Sequence, residues 1–200
     1  MDGIYISPDS VVEDGAEIYA PAHISGGSHI CRGARVMPFC ILMGTHVGAG
    51  TVVFSSTLIG AHVCENCSIG PYAYLREGTY VGNNCRIGDF VEVKASVLGN
   101  GTKAAHLAYI GDAEVGNNVN IGCGVVFCNY DGKVKSKTVV GDGAFIGANC
   151  NLIAPVTVGN NAFVAAGTTV CEDVPSGDLC IGRLKPYLKK GGAHGRYKSE

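Results

Sequence analysis

The sequence predicts an all-β fold, a parallel β-helix in which three short strands make up each coil. Val, Ile or Leu occupies every sixth position in three blocks, residues 12–42, 63–93 and 140–170. Four positions after each of them stands Ala, Ser, Cys, Thr or Val, and His46 is the one exception. The third and fourth positions of each hexad often hold Gly or Asn, which tolerate the left-handed backbone of a tight corner.

Each hexad of this pattern can be assigned a geometry. Side chains alternate between the two faces of a strand, so the aliphatic and the smaller residue point inward and their neighbours point outward. Three hexads, or 18 residues, close one coil, and about nine coils follow one another at roughly 4.8 Å spacing. We expect the solenoid to occupy residues 1–175 and a basic tail to occupy residues 176–200.

Composition and charge exclude several classes of function. The chain has 200 residues and a formal net charge of −2, which argues against broad binding to nucleic acids or anionic membranes. No apolar run reaches the ~18 residues of a membrane-spanning helix. The N-terminus lacks the basic and apolar segments of a signal peptide. We therefore expect a cytoplasmic protein whose ten cysteines are reduced thiols.

Two stretches interrupt the period of six, and insertions in a solenoid often carry a functional site. Residues 93–115 contain four residues more than one coil, and residues 127–140 contain seven more than one hexad. We expect both stretches to leave the solenoid as loops. The first loop would contain His106, close to Tyr109.

Residues 18 apart are expected to stack on one face. Arg76 and Lys94 then become neighbours, and two cations about 5 Å apart favour an anion between them. The lysines of the second loop, Lys133, Lys135 and Lys137, could turn toward the same ligand. The alternative interpretation is solvated surface charge.

A groove is expected along one corner of the solenoid. With the seven inserted residues removed, Cys123, Ala148 and Ala166 fall on one corner in successive coils. Their small side chains would leave a channel that leads toward Arg183 and the basic tail, and it suits a pantetheine arm with phosphates at its end. The alternative is that corners simply hold small residues. Because this channel and the Arg76 stack lie on different faces, we expect an oligomer with sites between subunits.

The cysteines and histidines do not predict a metal site. Cys64 and Cys67 form a CxxC pattern, but alternation directs one outward and the other inward. The histidines at positions 23, 29, 46, 62 and 194 lack the paired spacing of zinc ligands. A β-helical carbonic anhydrase with three histidine ligands is the main rival enzyme class, and no close histidine pair supports it.

From Ile69 to Arg183 the sequence resembles a known family closely. The matching motifs are IGPYAYLREG, VGNNCRIGDFVEVK, AAHLAYIGDAEVGNNVNIG, CNYDGKVKSKT, LIAPVTVG and AAGTTV. They resemble the acetyltransferase half of the bifunctional enzyme of UDP-N-acetylglucosamine synthesis, a glucosamine-1-phosphate N-acetyltransferase fused to a uridylyltransferase. That half is a left-handed β-helix of the hexapeptide-repeat acyltransferases. The left hand is expected here from this resemblance alone.

The resemblance implies a role for each matching residue. His106 would be the general base that takes a proton from the amine of an aminosugar phosphate, a task suited to a group with a pKa near 6.5. The residues implied to hold the sugar phosphate are Arg76, Lys94, Tyr109, Asn120 and Lys135. Those implied to contact acetyl-CoA are Cys123, Asn129, Tyr130, Ala148, Ala166 and Arg183. Acetyl-CoA would be a co-substrate, with no tightly bound cofactor, and the oligomer would be a homotrimer.

The sequence also departs from the family's pattern. Residues 1–62 are hexads rather than a nucleotidyltransferase domain, so uridylyl transfer is not expected. The family often has Ser where Ala148 stands and Ala where Cys123 stands, which bears on coenzyme affinity. Two alternatives stay open: acetylation of another aminosugar phosphate or sugar nucleotide, and a non-catalytic partner of a separate uridylyltransferase chain.

Overall fold

Every coil of the solenoid places one short strand on each of three faces. The computed structural model describes residues 3–182 and 184–190, and 27 strands, numbered here along the chain, lie in these ranges. All pairings between the strands are parallel. The predicted all-β solenoid of hexapeptide repeats is confirmed.

Face 1 is formed by β1 (Ile4–Ile6), β4 (Ala22–Ser25), β7 (Cys40–Met43), β10 (Thr57–Ile59), β13 (Tyr74–Leu75), β20 (Val126–Cys128), β23 (Asn151–Ile153) and β26 (Thr169–Val170). Face 2 is formed by β2 (Val11–Val12), β5 (His29–Ile30), β8 (His46–Val47), β11 (His62–Val63), β14 (Tyr80–Val81), β16 (Val97–Leu98), β18 (Ala113–Val115), β21 (Thr138–Val140) and β24 (Val156–Val158). Face 3 is formed by β3 (Glu17–Ile18), β6 (Arg35–Val36), β9 (Val52–Val53), β12 (Ser68–Ile69), β19 (Asn120–Ile121), β22 (Phe145–Ile146), β25 (Phe163–Val164) and β27 (Leu179–Cys180).

Two longer strands, β15 (Arg86–Lys94) and β17 (Lys103–Gly111), run from face 3 around an edge onto face 1. They join faces 1 and 3 into one sheet of 18 strands, and face 2 is a separate sheet of nine strands. We name each edge by the faces that it joins, so that β15 and β17 cross the 3/1 edge.

The core lies inside the prism and consists of the aliphatic residues that set the period of six. From Ile24 onward the residues at these positions are buried, among them Leu42, Leu75 and Leu152, which are fully buried. Removing such a side chain from water stabilises the fold by about 1.5–3 kcal/mol. The small inward positions, such as Cys67 and Cys85, fill the space between these layers.

A shortened hexad explains the exception at His46. The inward residues Leu42 and Val47 are separated by five positions rather than six, so Thr45 takes the small inward position. Its hydroxyl is buried and donates to the Leu58 carbonyl oxygen at 3.2 Å. His46 therefore points outward on face 2.

The first predicted loop does not exist. Residues 93–115 stay inside the solenoid, because Ala104 is buried at an inward position and completes a further hexad. This hexad is not visible in the sequence pattern, since Ala stands where the other hexads have Val, Ile or Leu. Val93 pairs with Ile110, and Leu98 pairs with Val115, in coils one residue shorter than 18. His106 is thus held on a strand at the 3/1 edge.

The second predicted loop is confirmed. Residues 129–137 leave the solenoid between β20 and β21 and fold back on themselves through an antiparallel bridge between Tyr130 and Lys135. Asp131 Oδ1 accepts hydrogen bonds from the backbone N–H groups of Lys133 at 2.8 Å and Val134 at 2.7 Å. The loop is therefore ordered by its own turn.

At the C-terminal end of the solenoid, β27 pairs with β25. Residues 184–190 are exposed. Among the described residues, no helix is long and apolar enough to cross a lipid bilayer.

Candidate active site

The three residues predicted to line a groove do stack, one per coil, on the 3/1 edge. The Asn149 N–H donates to the Cys123 carbonyl oxygen at 2.8 Å, and the Gly167 N–H donates to the Ala148 carbonyl oxygen at 2.8 Å. A Cβ atom at Gly122 would lie 2.6 Å from the Ala148 nitrogen, so neighbouring coils approach each other closely here. Small residues therefore line this half of the edge.

His106 lies on the same edge, one coil before Cys123. The Gly124 N–H donates to the Leu107 carbonyl oxygen at 2.6 Å, which places the two corners directly against each other. The His106 side chain is about half exposed, at 55%. A titratable imidazole thus stands at the head of the row of small corner residues.

Asp89, on the neighbouring coil, contacts His106 directly. Its Oδ1 lies 2.7 Å from His106 Nδ1, and the two residues are register partners in β15 and β17. The hydrogen bond from His106 is the main cause of a lowered pKa at Asp89. A carboxylate on Nδ1 fixes the neutral ring in the tautomer that leaves Nε2 free to accept a proton.

Sequence reasoning missed Asp89 because it assumed coils of 18 residues. Counting 18 back from His106 reaches Gly88, whereas the coil here is one residue shorter and brings Asp89 into register. The sequence did contain a signal: both IGDFVEVK and AYIGDAE include a Gly-Asp pair. The pair indicates an acidic residue near His106 and another near Lys94.

The predicted stack of Arg76 and Lys94 is confirmed, at the 1/2 edge. Leu75 pairs with Val93, and the Arg76 N–H donates to the Val93 carbonyl oxygen at 2.9 Å. Arg76 Nη1 lies 2.8 Å from Glu92 Oε1, and its guanidinium lies 5.7 Å from the centre of the Tyr74 ring. Together with Tyr74, Arg76 and Lys94 line a surface cavity of about 400 Å³.

Of the three lysines of the second loop, Lys135 lies beside Lys94. Contact with the like charge of the Lys94 ammonium lowers the pKa of Lys135. Lys94 Nζ also lies 3.4 Å from Asp112 Oδ2. Two ammonium groups held this close favour an anion that contacts both.

Tyr109 and Asn129 complete the cluster at the 1/2 edge. Gly111 has no side chain, and a Cβ atom there would lie 2.5 Å from the Tyr109 hydroxyl and 2.9 Å from Asn129 Nδ2. Asn129 is buried and its Nδ2 donates to Asp112 Oδ2. Asp112, which the sequence reasoning also missed, therefore orients both Lys94 and Asn129.

Three predicted site residues lie elsewhere. Asn120 is on face 3, in register with Lys103 and Phe145, close to the edge that carries Cys123. Tyr130 is exposed on the second loop, where its hydroxyl donates to the Gly132 carbonyl oxygen at 2.7 Å. Arg183 lies outside the described residues.

The two clusters occupy opposite edges of face 1. His106 and Gly111 are five residues apart on β17, a span of at most about 16 Å at roughly 3.3 Å per residue. This distance agrees with the expectation that, within one chain, the cation cluster and the groove lie apart. The two clusters are not, however, on unrelated faces, since both border face 1.

Three of the histidines come together in space although the sequence shows no paired spacing between them. His29, His46 and His62 lie along face 2 in successive coils. The His29 and His46 rings meet edge to face with centres 5.3 Å apart, and the His46 and His62 rings stack with centres 4.3 Å apart. Their sequence separations of 17 and 16 residues are coil lengths, so they are not visible as a local spacing pattern. In the CxxC pattern, Cys67 is buried and Cys64 is partly exposed, as alternation predicted.

The repeats also match a known family. Residues 60–95 and 137–172 match the family described as bacterial transferase hexapeptide (six repeats). The UDP-N-acetylglucosamine acyltransferase from Campylobacter jejuni superposes with a TM-score of 0.64 and 16% identity, over 97% of this chain and 79% of that chain. That likeness shows the shared fold. The repeats thus place the chain in the class of hexapeptide-repeat solenoids.

Within that class, the sequence is similar to the Bifunctional protein GlmU. It is 47% identical to the protein from Clostridioides difficile (strain 630) over 94% of this chain and 41% of that relative. It is 50% identical to the one from Nitratidesulfovibrio vulgaris (strain DP4), over 90% of this chain and 40% of that relative. The chain thus spans about two fifths of the length of the curated relatives it matches.

Proposed function

We propose that this chain is an acetyl-CoA-dependent N-acetyltransferase that acts on an aminosugar phosphate, with glucosamine-1-phosphate as its substrate. The observation that carries the proposal is the Asp89–His106 pair at the head of the row of small corner residues on the 3/1 edge. The similarity to the Bifunctional protein GlmU supports the choice of substrate.

The proposed reaction needs one base and one thioester. The nitrogen of the substrate amine attacks the acetyl carbonyl carbon. As it does so, His106 Nε2 takes a proton from that nitrogen. The new C–N bond forms, the C–S bond breaks, and the coenzyme A sulfur leaves with the proton that His106 returns. Asp89 stabilises the imidazolium that exists between these two transfers.

A backbone donor is available for the tetrahedral intermediate. The Cys123 N–H, one coil from His106, has no hydrogen-bond acceptor among the residues that the structure describes. Fixed N–H groups aimed at a developing oxyanion are a common source of catalytic stabilisation. The Cys123 thiol has no role in this scheme, and no covalent acyl-enzyme forms.

The cation cluster at the 1/2 edge fits the phosphate of the substrate. Arg76 can bind a phosphate through two parallel hydrogen bonds, and Lys94 and Lys135 add charge from neighbouring elements. Tyr109 lies on Gly111 beside them. Phosphate binding would position the amine for attack. Such positioning is the main way in which a remote binding group raises the reaction rate.

A second copy of the chain would bring the two clusters together, and the 3/1 edge carries a surface suited to it. At its corners, Phe39, Tyr72, Phe90 and Leu107 are exposed although each has a positive φ angle. Large apolar residues rarely adopt a positive φ angle. In later coils of the same edge, Gly124 and Gly167 have this conformation. This apolar ridge ends at His106, so we propose a homotrimer with its active sites between subunits.

The proposal is tested by supplying acetyl-CoA with glucosamine-1-phosphate, galactosamine-1-phosphate or glucosamine-6-phosphate, and by detecting the N-acetyl product by mass spectrometry. Direct product detection is needed because the exposed thiols of Cys123 and Cys171 would consume a thiol reagent. We expect turnover of glucosamine-1-phosphate, strongly reduced in His106→Ala. Turnover of galactosamine-1-phosphate alone would reassign the substrate, and no product from any would refute the activity.

A further inference from the structure

On face 2, one imidazole, one thiol and a second imidazole converge. His29, Cys31 and His46 each place one ligand atom within 4.8 Å of the other two. His29 and Cys31 are two residues apart on one coil, and His46 is the register partner of His29 on the next coil. All three side chains are partly buried. From this geometry we propose that His29, Cys31 and His46 form a binding site for Zn²⁺.

The distances agree with a shared tetrahedral ion. Cys31 Sγ lies 3.7 Å from His46 Nε2. Zinc–sulfur and zinc–nitrogen bonds of about 2.3 and 2.0–2.1 Å, at a tetrahedral angle, separate the two ligand atoms by roughly 3.6 Å. An ion can therefore enter between Cys31 and His46 with little movement of either side chain.

The surroundings orient the ligands. Glu13 Oε1 lies 2.8 Å from His29 Nε2, and Glu13 Oε2 accepts a hydrogen bond from the Arg32 N–H at 2.8 Å. A carboxylate hydrogen-bonded to a ligating histidine is the usual outer support of a zinc site. On the other side, the His62 ring stacks on His46 at 4.3 Å with an interplanar angle of 5° and fixes its orientation.

The ligand set selects the class of ion. Two imidazoles and a thiolate suit a borderline metal such as Zn²⁺, whereas Mg²⁺ and Ca²⁺ prefer oxygen ligands. Three protein ligands leave a fourth position for water. Because the ligands come from two coils, the ion would cross-link β5 to the coil of β8. This site is on another face from His106, and acetyl transfer does not depend on it.

The chain offers a matched control for the test. Cys64 follows Val63 on face 2 as Cys31 follows Ile30, but its Sγ contacts the Tyr80 hydroxyl at 3.0 Å and belongs to no such cluster among the described residues. Cys31→Ser and Cys64→Ser therefore remove the same atom at equivalent places in the repeat. His46→Ala and Glu13→Gln complete the set.

The experiment is a titration of the chelator-treated, reduced full chain with CoCl₂, followed by competition with ZnCl₂. We expect one equivalent of Co²⁺ with a thiolate-to-cobalt absorption band that Zn²⁺ removes. Cys31→Ser should abolish the band and Cys64→Ser should retain it. Glu13→Gln should weaken zinc binding by about 10–100-fold. Unchanged circular dichroism of each apo variant controls for folding.

The same titration can overturn the proposal. A band that persists in both Cys31→Ser and His46→Ala would place the metal elsewhere, and no band with the native chain would exclude the site. If Cys31→Ser fails to fold, His46→Ala and Glu13→Gln decide the outcome. Zinc should also raise the thermal midpoint of the native chain and not that of His46→Ala, since a ligand that binds only the folded state stabilises it.

Discussion

Asp89 Oδ1 and His106 Nδ1 lie 2.7 Å apart on neighbouring coils of the 3/1 edge. One nitrogen of the imidazole is thereby held by the fold, and the side chain remains about half exposed. Neither residue is near the other in sequence, and their contact depends on the register between β15 and β17. The proposed base is thus oriented by the solenoid itself.

Removal of the imidazole or its partner should affect the chemical step. We expect His106→Ala to lower kcat by about 10²–10⁴-fold, the usual contribution of a general base, with acetyl-CoA binding retained. Asp89→Asn should lower kcat by less, with KM for both substrates nearly unchanged. The control is Asp14→Asn, at an exposed corner far from His106 in the sequence. Near-normal turnover by His106→Ala would contradict the assignment of the base.

The cations of the 1/2 edge should govern binding of the sugar phosphate. Arg76→Ala is expected to raise KM for glucosamine-1-phosphate by tenfold or more while kcat changes little, since charge-assisted hydrogen bonds are worth about 1.5–3 kcal/mol. Arg35→Ala removes an exposed arginine from face 3 and should leave KM unchanged. Steady-state kinetics at fixed acetyl-CoA measure both, and an unaffected KM in Arg76→Ala would remove this cluster from the site.

The lowered pKa of Lys135 predicts a pH dependence. Contact with the Lys94 ammonium lowers the pKa of Lys135, so Lys135 loses its proton at a lower pH than an ordinary lysine as the pH rises. Only the protonated form attracts phosphate, and kcat/KM for the sugar phosphate should therefore fall on the alkaline side. Lys135→Arg keeps its charge and should move this fall to higher pH. Identical alkaline limbs in both proteins would argue against the contact.

Small residues at the 3/1 edge should set access for the coenzyme. Ala148→Leu places a larger side chain in the row of corners and is expected to raise KM for acetyl-CoA at least tenfold. Ala148→Ser changes the volume little and should alter KM for acetyl-CoA far less than Ala148→Leu does. Isothermal titration with coenzyme A separates this effect from catalysis. Equal affinity of both variants would show that the ligand follows another path.

An active site shared between subunits can be tested by mixing two impaired variants at a glucosamine-1-phosphate concentration far below KM. If His106 of one copy acts with Arg76 of another, co-expressed His106→Ala and Arg76→Ala chains should be more active at that concentration than either variant alone. Leu107→Glu on the apolar ridge should weaken the oligomer in sedimentation experiments, and Val11→Glu on face 2 should not. No recovery in the mixed oligomers would indicate a site within one chain.

The core itself offers a matched pair for stability. Leu98 is fully buried in β16, and its neighbour Val97 is 46% exposed. Leu98→Ala should lower the free energy of unfolding by about 2–5 kcal/mol, because a cavity remains, and Val97→Ala should change it by less than about 0.5 kcal/mol. Urea denaturation at one protein concentration measures both. Equal losses would mean that face 2 is covered by another surface.

Much of this protein could be predicted from its sequence because a solenoid repeats one local rule. The period of six dictates which side chain points inward, and counting along the chain is enough to place Arg76 beside Lys94 and Cys123 beside Ala148. The motifs around His106 and Asn129 added the expected chemistry through resemblance. Each of these inferences needs only the alternation of a strand and a corner of fixed length.

Tertiary structure decided what depends on the length of each coil. Coils shortened by one residue bring Asp89 to His106, and His29 to His46, where a constant spacing of 18 would pair other residues. The hexad of Ala104 could not be recognised from the sequence, because Ala interrupts the pattern of Val, Ile and Leu. In the shorter coil, its methyl group fills the inward position as a larger side chain does elsewhere. Register between coils is set by backbone hydrogen bonds from one coil to the next, and these form only when neighbouring coils are wound against each other.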